Sequence, residues 1–365
     1  MKKKIIFNSV INPLSIGQTG YNMLRALFDR SDIDVKFHPL LGSQVDLSNF
    51  PRDDAFAAKL QASLDTRFDI SFDTPAIKLW HISGAENKIT NNQHLFTFHE
   101  TDAVTDIEKS IMNLQNSVFT SSSESIRNFA RAGVTAKLAS IPLGLDPDIK
   151  RNSKDYKMGG VTHWGLMGKI EKRKNTAQII KSWIKLYGNN PKHQLSCAIV
   201  NQFMKQEQFQ QIIGQIFEGK TYSNVNFLPY LKNDAVIDYL NAIDIELSGL
   251  SNGEGWNIPA FNACALGKWV PTTNITAHRD WANAENSLLI EPDGMQPCYD
   301  GQFFHQGSPF NQGNIYYFSP ETIEKAMVDI AERAKWINHK GIEMGNRLTY
   351  ANTVDLILKE VFKDA

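Results

Sequence analysis

Short apolar runs alternate with segments of helical periodicity along most of the chain, and this alternation limits the fold more than any other feature. It is typical of parallel sheets whose faces are covered by helices. A chain of 365 residues suits about two domains, each with its own core. The sequence therefore predicts an α/β protein whose strands lie at residues 5–10, 35–38, 77–80, 94–98, 118–120, 138–141, 161–167, 195–200, 225–228, 243–247, 269–273 and 288–290.

A polar, basic and glycine-ended segment, residues 150–160, interrupts the series of strands. Such segments commonly connect domains, because few contacts cross them. We therefore predict a first domain at residues 1–152 and a second at residues 153–349.

Helical periodicity and breaker residues complete the predicted secondary structure. Two stretches rich in glycine are predicted as loops, at residues 12–20 and 292–318. The second is long and rich in aromatic residues, and a loop of this length is usually functional or mobile if it has no structure of its own. A break is expected near Gly341. The predicted helices cover residues 21–28, 54–64, 176–187, 320–336 and 353–362.

Composition narrows the function classes. The formal net charge of −1 gives no general attraction to nucleic acid or to anionic membranes. The chain has three cysteines, Cys197, Cys264 and Cys298, whose number and spacing suit neither a disulfide framework nor a metal site. This predicts a reducing compartment. No run approaches the roughly 20 apolar residues of a membrane span. We expect a cytoplasmic protein without a membrane span.

A glycine-rich turn after the strand at 243–247 introduces a short helix, in the segment SGLSNGEGWNIPAFNACALG at residues 248–267. Pro259 suits the first helical turn, and Gly267 suits its end. A glycine-rich loop that ends at a helix N-terminus presents free N–H groups to an anion. Glu254 lies in this loop, where a carboxylate suits sugar hydroxyls, and Asn262 follows on the predicted helix.

The segment Gly168-Lys169-Ile170-Glu171-Lys172-Arg173-Lys174 follows a predicted strand of the same domain and has four basic residues in six positions. A charge run is usually a solvated face. Its position after a strand, in the domain with the anion-binding helix start, favours phosphate binding instead.

These two segments resemble the signature of retaining GT-B glycosyltransferases of the group 1 family. That family has Glu-Gly-Phe-Gly-Leu-Pro followed by Glu-Ala and a small-residue run, and here the residues are Glu254-Gly255-Trp256-Asn257-Ile258-Pro259 and then Asn262-Ala263. Lys169 and Lys174 match the two cations of the family's Gly-Arg-…-Lys-Gly element.

The resemblance implies a role for each matched residue. Glu254 contacts donor-sugar hydroxyls, and Lys169 and Lys174 neutralise the nucleotide diphosphate. Asn262 occupies the position of the family's second Glu, which holds the ribose, and an amide can still hydrogen-bond a diol. The backbone from Gly255 to Ile258, which includes Trp256 and Asn257, faces the phosphates.

Three further candidates depend on the same resemblance. Gly17, with Gly20, would let the first loop approach the ligand, although a simple strand-to-helix turn is the more common explanation of such glycines. His99 matches a histidine that the family keeps beside the donor sugar, but it is also explained as a histidine satisfied at a strand end. Residues Phe227, Leu228 and Pro229 match the segment that surrounds the nucleobase.

The resemblance implies a GT-B fold with two Rossmann-like domains facing each other across a cleft. The acceptor-side domain is the first, and a C-terminal helix at about 350–365 packs back on it. The implied reaction moves a sugar from a UDP- or GDP-sugar to an acceptor hydroxyl with retention, without a metal or another cofactor.

The acceptor remains open at this stage, as a saccharide, another small molecule or a hydroxymethylated base of DNA. The last option follows from a further likeness to enzymes of tailed phages, which would place the protein in the host cytoplasm. Lys150, Arg151, Lys154 and Lys157 could contact DNA phosphates, although solvation of a linker explains them too. The alternatives to a transferase are a GT-B nucleotide-sugar epimerase and a non-catalytic nucleotide-sugar binder.

Overall fold

The computed structural model describes residues 2–154, 156 and 159–363, which form two units with separate cores. The first unit contains the chain up to Asp148, residues 305–313 and the chain from Leu348 onward, and the second contains the rest. The linker residue Lys157 lies outside the described residues, as do residues 364–365 at the end of the predicted C-terminal helix.

The first unit is built on a six-stranded sheet of order β2-β1-β3-β4-β5-β6 whose strands all pair in parallel. The strand β1 pairs with β2 in the register Ile5↔Val35 and with β3 in the register Phe7↔Ile77. Its elements are β1 (Lys3–Ser9), α1 (Ser15–Phe28), β2 (Ile33–Pro39), α2 (Asp54–Asp65), β3 (Ala76–Leu79), β4 (Gln93–Thr97), α3 (Asp106–Asn113), β5 (Ser117–Thr120), α4 (Ser123–Arg131) and β6 (Lys137–Ser140).

The second unit has a four-stranded parallel sheet of order β10-β7-β8-β9, and a parallel bridge from Ile245 to Trp269 leads from β10 to the parallel pair β11–β12. Its elements are β7 (Thr162–Met167), α5 (Thr176–Tyr187), β8 (His193–Ala198), α6 (Gln206–Phe217), β9 (Val225–Phe227), α7 (Asn233–Ala242), β10 (Ile245–Glu246), α8 (Ile258–Ala265), β11 (Pro271–Thr273), β12 (Leu288–Ile290), β13 (Gly294–Pro297), β14 (Asn314–Tyr317), α9 (Pro320–Ala331) and α10 (His339–Arg347). The last helix of the chain, α11 (Tyr350–Val361), belongs to the first unit, where it packs on α1.

Strand order in the second unit is that of a Rossmann-like sheet, because β7 lies between β8 and β10 and the direction of chain progression reverses there. Trp164 on β7 and Trp183 on α5 are fully buried in its apolar core. The predicted α/β class with parallel sheets is therefore confirmed, and each unit has a Rossmann-like topology.

The predicted loop at 12–20 is wrong, because α1 already begins at Ser15 and contains both glycines of that stretch. A Cβ on Gly17 would lie 2.4 Å from the carbonyl oxygen of Asn12, and one on Gly20 would lie 2.6 Å from that of Val10. The glycines therefore let the helix pack closely on the chain that precedes it.

The predicted break near Gly341 lies slightly earlier, at residues 336–338, and Gly341 itself lies inside α10, a helix that was not predicted. A Cβ on Gly341 would lie 2.2 Å from the carbonyl oxygen of Cys264, so the glycine permits α10 to approach α8. The segment 292–318 likewise has structure of its own, the antiparallel hairpin β13–β14.

None of the helices in the described part of the chain combines the length and the apolar character that a bilayer crossing requires.

Candidate active site

Reversal of chain progression between β7 and β10 places the loops that follow these two strands side by side, at the edge where doubly wound sheets bind ligands. The loop after β7 carries the basic run, and the loop after β10 carries Glu254. The two loops are joined directly, because the backbone N–H of Asn252 donates to the carbonyl of Arg173 at 2.8 Å. The sequence segments that resemble one family signature therefore meet at one sheet edge.

Glu254 and Lys174 form a bidentate ion pair at this edge. The Lys174 Nζ lies 2.7 Å from Oε1 and 2.8 Å from Oε2 of Glu254. The side chain of Glu254 is only 3% exposed, and that of Lys174 is 17% exposed. Because the pair is largely removed from water, its attraction is screened far less than that of a surface pair.

Arg173 is the third member of the cluster, and the sequence analysis did not assign it. Its Nη1 lies 3.2 Å from Oε2 of Glu254 and donates to the carbonyl of Gly253 at 2.6 Å, while its Nη2 donates to Glu171 at 2.9 Å. Arg173 belongs to the basic run, but the family motif matches only the first and last cations of that run, Lys169 and Lys174. The planar guanidinium thus binds Glu171 of its own loop and Glu254 of the loop after β10 at the same time.

The carboxylate of Glu254 is held in its ionised form. Burial raises its pKa, but the charges of Lys174 and Arg173 outweigh burial, so the pKa lies below its ordinary value. An ionised carboxylate is an acceptor only, which suits it to binding the hydroxyl groups of a sugar.

The head of α8 has the geometry of an anion-binding helix start. Asn257 caps the helix in the left-handed region, with φ 67°, and its Oδ1 accepts from the N–H of Ala260 at 3.5 Å. Pro259 lies in the first turn, as the sequence predicted. The neighbouring Trp256 is buried, and its carbonyl accepts from the indole N–H of Trp281 at 3.1 Å.

His278 fixes the orientation of the Asn257 amide. Its Nδ1 lies 2.9 Å from the carbonyl oxygen of Thr273, and its Nε2 lies 3.0 Å from Nδ2 of Asn257. These partners require a neutral imidazole with its proton on Nδ1, so that Nε2 can accept from the amide. Burial, assisted by the charge of Lys174, lowers the pKa of His278 to about 4.

We expect this histidine to make the protein sensitive to acid. The unfolded chain binds the proton below about pH 6.5, whereas the folded protein binds it only near pH 4, so the free energy of unfolding falls between these values. The gap corresponds to about 3 kcal/mol of lost stability. Urea unfolding at pH 7 and pH 4 should show a smaller loss in His278→Gln than in the wild type, and equal losses would contradict the assignment.

Lys169 has different neighbours from Lys174. Its Nζ lies 5.0 Å from the ring centre of Phe203 and 4.9 Å from that of Phe303. The backbone of Lys169 is nonetheless part of the same loop, since its carbonyl accepts from the hydroxyl of Thr176 at 2.7 Å. The structure thus brings Lys174 into contact with Glu254, and it places the ammonium of Lys169 against an aromatic pair.

The remaining candidates of the second unit lie on two elements. Asn262 is a buried residue of α8, 4% exposed. Phe227 ends β9 and packs on Phe209 and Phe217, Leu228 donates its N–H to the carbonyl of Cys197 at 2.9 Å, and Pro229 is exposed.

The candidates of the first unit are buried. His99 follows β4, is 2% exposed and packs its ring on Phe129, and burial lowers its pKa. The imidazole has local partners, the hydroxyl of Thr101 at 3.4 Å from Nε2 and the backbone of Ala103, as expected of a histidine satisfied at a strand end. Gly17 lies in the first turn of α1.

Two further observations concern charge and ligands. In the linker, Lys154 donates to both carboxylate oxygens of Asp238, at 2.9 and 3.1 Å, which gives this lysine a partner within the second unit. The described part of the chain contains no group of three or more His, Cys, Asp or Glu side chains that could hold a metal ion.

Comparison with known proteins identifies the class of the enzyme. Residues 164–296, which include both loops of the site, match the family model described as glycosyl transferases group 1. Comparison with curated protein sequences gives no match. The family match makes the chain a glycosyltransferase.

Solved structures with the same fold cover the whole chain at low identity. Sucrose-phosphate synthase from Thermosynechococcus elongatus is similar over 100% of both chains, with a TM-score of 0.70 and 12% identity. HepE of Anabaena, solved in complex with UDP and glucose, is similar over 100% of both chains, with a TM-score of 0.65 and 13% identity. The UDP-forming trehalose-phosphate synthase from Burkholderia vietnamiensis covers 100% of this chain and 99% of its own, with a TM-score of 0.65 and 12% identity. The fold is therefore GT-B.

Proposed function

We propose that the protein transfers a sugar from a nucleotide-diphosphate sugar to an acceptor hydroxyl with retention of anomeric configuration and without a metal ion. The observation that carries this proposal is the ion pair of Glu254 with Lys174, reinforced by Arg173, beside the head of α8. It combines an acceptor for sugar hydroxyls with cations and N–H groups for a diphosphate in one place.

Breaking a sugar–phosphate bond builds negative charge on the leaving diphosphate. Lys174, Lys169 and the backbone N–H groups between Gly255 and Ile258 are the groups that we assign to this charge. Donors placed in advance at a developing anion are each worth roughly 3 kcal/mol of transition-state stabilisation. In this assignment the diphosphate replaces Glu254 as the partner of Lys174. The carboxylate of Glu254 then accepts hydrogen bonds from hydroxyl groups of the donor sugar.

We assign the rest of the donor to the other sequence-derived candidates. We assign Asn262 to the ribose, residues Phe227, Leu228 and Pro229 to the nucleobase, and Gly17 and His99 of the first domain to the phosphates and the sugar. UDP is the nucleotide we favour, because HepE of Anabaena has been solved with UDP-glucose. The proposed domain assignment keeps residues 1–152 on the acceptor side and residues 153–349 on the donor side.

We propose a saccharide or another small molecule as the acceptor. The pairing of Lys154 with Asp238 supports a structural role for this linker lysine, instead of a role in binding DNA phosphates. Modification of DNA bases is therefore supported only by the likeness of the sequence to enzymes of tailed phages.

Product stereochemistry and metal dependence test the proposal together. With UDP-glucose, whose glucosyl group is α-linked, and an accepted hydroxyl, proton NMR should show an α-linked product, and turnover should persist in excess EDTA. A β-linked product would contradict retention, and activity lost in EDTA and restored by a divalent cation would contradict metal independence. Conversion of the donor to an isomeric sugar without an acceptor would indicate an epimerase instead.

A further inference from the structure

Behind the loop that carries Lys174, the second unit has a cavity of about 560 Å³ that the proposed donor site does not use. Its walls are α5, α6, the hairpin β13–β14 and the start of α9. Neither Lys174 nor Glu254 lines it. The volume lies within the usual range of small-molecule sites, so the cavity is large enough for a ligand.

The charges on the cavity wall cancel. Two carboxylates, Glu171 and Asp300, stand against two ammonium groups, Lys172 and Lys181. Lys172 is already engaged, since its Nζ donates to the carbonyls of Pro297 and Tyr299. A balanced wall favours a neutral ligand over a phosphate or a polyamine.

Amide side chains supply most of the remaining polar groups. Two acceptors among the residues that line the cavity are left without a hydrogen-bond partner within the described residues: the amide Oδ1 of Asn252, which is 2% exposed, and the carboxylate Oδ2 of Asp300. The other oxygen of Asp300 accepts from three backbone N–H groups, which fixes the carboxylate in place. The amides that line the cavity are Asn175, Gln178, Asn252, Gln296 and Gln302.

Apolar surface completes the wall. Ile170, Met204 and Ile212 contribute aliphatic groups, and Tyr317, which is 39% exposed, contributes an accessible aromatic ring. A cyclic ligand could stack on this aromatic ring and form hydrogen bonds with the amides and carboxylates beside it. A ligand that is neutral, rich in hydroxyl donors and partly apolar on its ring faces fits all of these features.

We propose that this cavity is a second, non-catalytic site for a neutral saccharide. Glu171 links it to the donor site, because the carboxylate that lines the cavity also holds Arg173, which in turn holds Glu254. An occupant that hydrogen-bonds Glu171 changes the partner of Arg173. Saccharide and UDP should therefore alter each other's affinity by the same factor, a reciprocity that rests on the proposed function.

The test measures binding and requires no turnover. Glucose, maltose, sucrose and trehalose are titrated into the full chain by calorimetry in the absence of nucleotide. Ala177→Phe fills the cavity from α5, and Tyr317→Ala removes the exposed ring without adding bulk. Trp336→Ala is the matched control, because Trp336 is an exposed aromatic residue of the same unit, 54% exposed, that does not line the cavity.

At least one saccharide should bind, and each cavity variant should weaken it by about tenfold or more, while Trp336→Ala binds as the wild type does. All variants should retain the UDP affinity of the wild type, which also shows that they are folded. The proposal is overturned if none of the sugars binds, or if both cavity variants bind sugar normally. Loss of UDP binding in Ala177→Phe would overturn it as well, since the cavity would then belong to the nucleotide.

Discussion

Lys174→Ala is expected to lower kcat/KM for the sugar nucleotide by about two to three orders of magnitude, which corresponds to roughly 3 to 4 kcal/mol of transition-state stabilisation. The ammonium group lies within 2.8 Å of both oxygens of Glu254, so it already occupies the centre of the proposed site. Its removal takes away a charge that stands ready for the leaving diphosphate. It also leaves the buried carboxylate with Arg173 as its remaining ion-pair partner among the described side chains.

Two companion variants separate charge from geometry. Lys174→Arg keeps the charge but replaces a compact ammonium by a planar fork, so its activity should lie between those of the wild type and Lys174→Ala. Lys220→Ala removes an exposed lysine of the same unit and should leave activity unchanged. Steady-state kinetics against the donor make the comparison, and activity within about threefold of the wild type in Lys174→Ala would remove the phosphate assignment.

Glu254→Gln is expected to abolish most turnover and also to destabilise the fold by about 3 kcal/mol at neutral pH, because it leaves the largely buried Lys174 without its counter-charge and leaves Arg173 with Glu171 alone. The pKa of Glu254 is lowered in the folded protein. Its contribution to stability is therefore present above the unfolded value of about 4.5 and is lost as the pH falls through the lower folded value. The difference in urea stability between the wild type and the variant should shrink accordingly in acid.

The matched control is Glu207→Gln, which neutralises an exposed carboxylate on α6. Because exposed charges contribute little, this change should alter stability by less than about 1 kcal/mol. A Glu254→Gln protein as stable as Glu207→Gln would show that the ion pair with Lys174 and Arg173 adds nothing to the fold.

Several elements of the second unit could be predicted from local sequence. The bounds of α5 match the predicted helix at 176–187, because its apolar residues recur with helical spacing between clear breakers. The helix at Pro259 and its end at Gly267 follow from the positions that proline and glycine favour. These elements are determined by their own residues, so they can be predicted without knowledge of the fold.

The errors have a common physical origin in long-range packing. Gly17 and Gly341 each resemble a loop or a break, yet both lie inside helices, where the missing Cβ lets another backbone come close. The residues that neighbour each glycine in the sequence do not indicate that contact. The same holds for Arg173, whose role depends on Glu254 and Glu171 reaching it from two directions.

The affinity for UDP alone, measured in Lys174→Ala and Glu254→Gln by calorimetry, tests the central claim most directly. If Lys174 binds the diphosphate and Glu254 binds the sugar, UDP affinity falls at least about tenfold in Lys174→Ala and is retained or increased in Glu254→Gln, in which Lys174 is released for phosphate. Equal UDP affinity in the wild type and Lys174→Ala, or loss of UDP binding by a folded Glu254→Gln protein, would contradict the account.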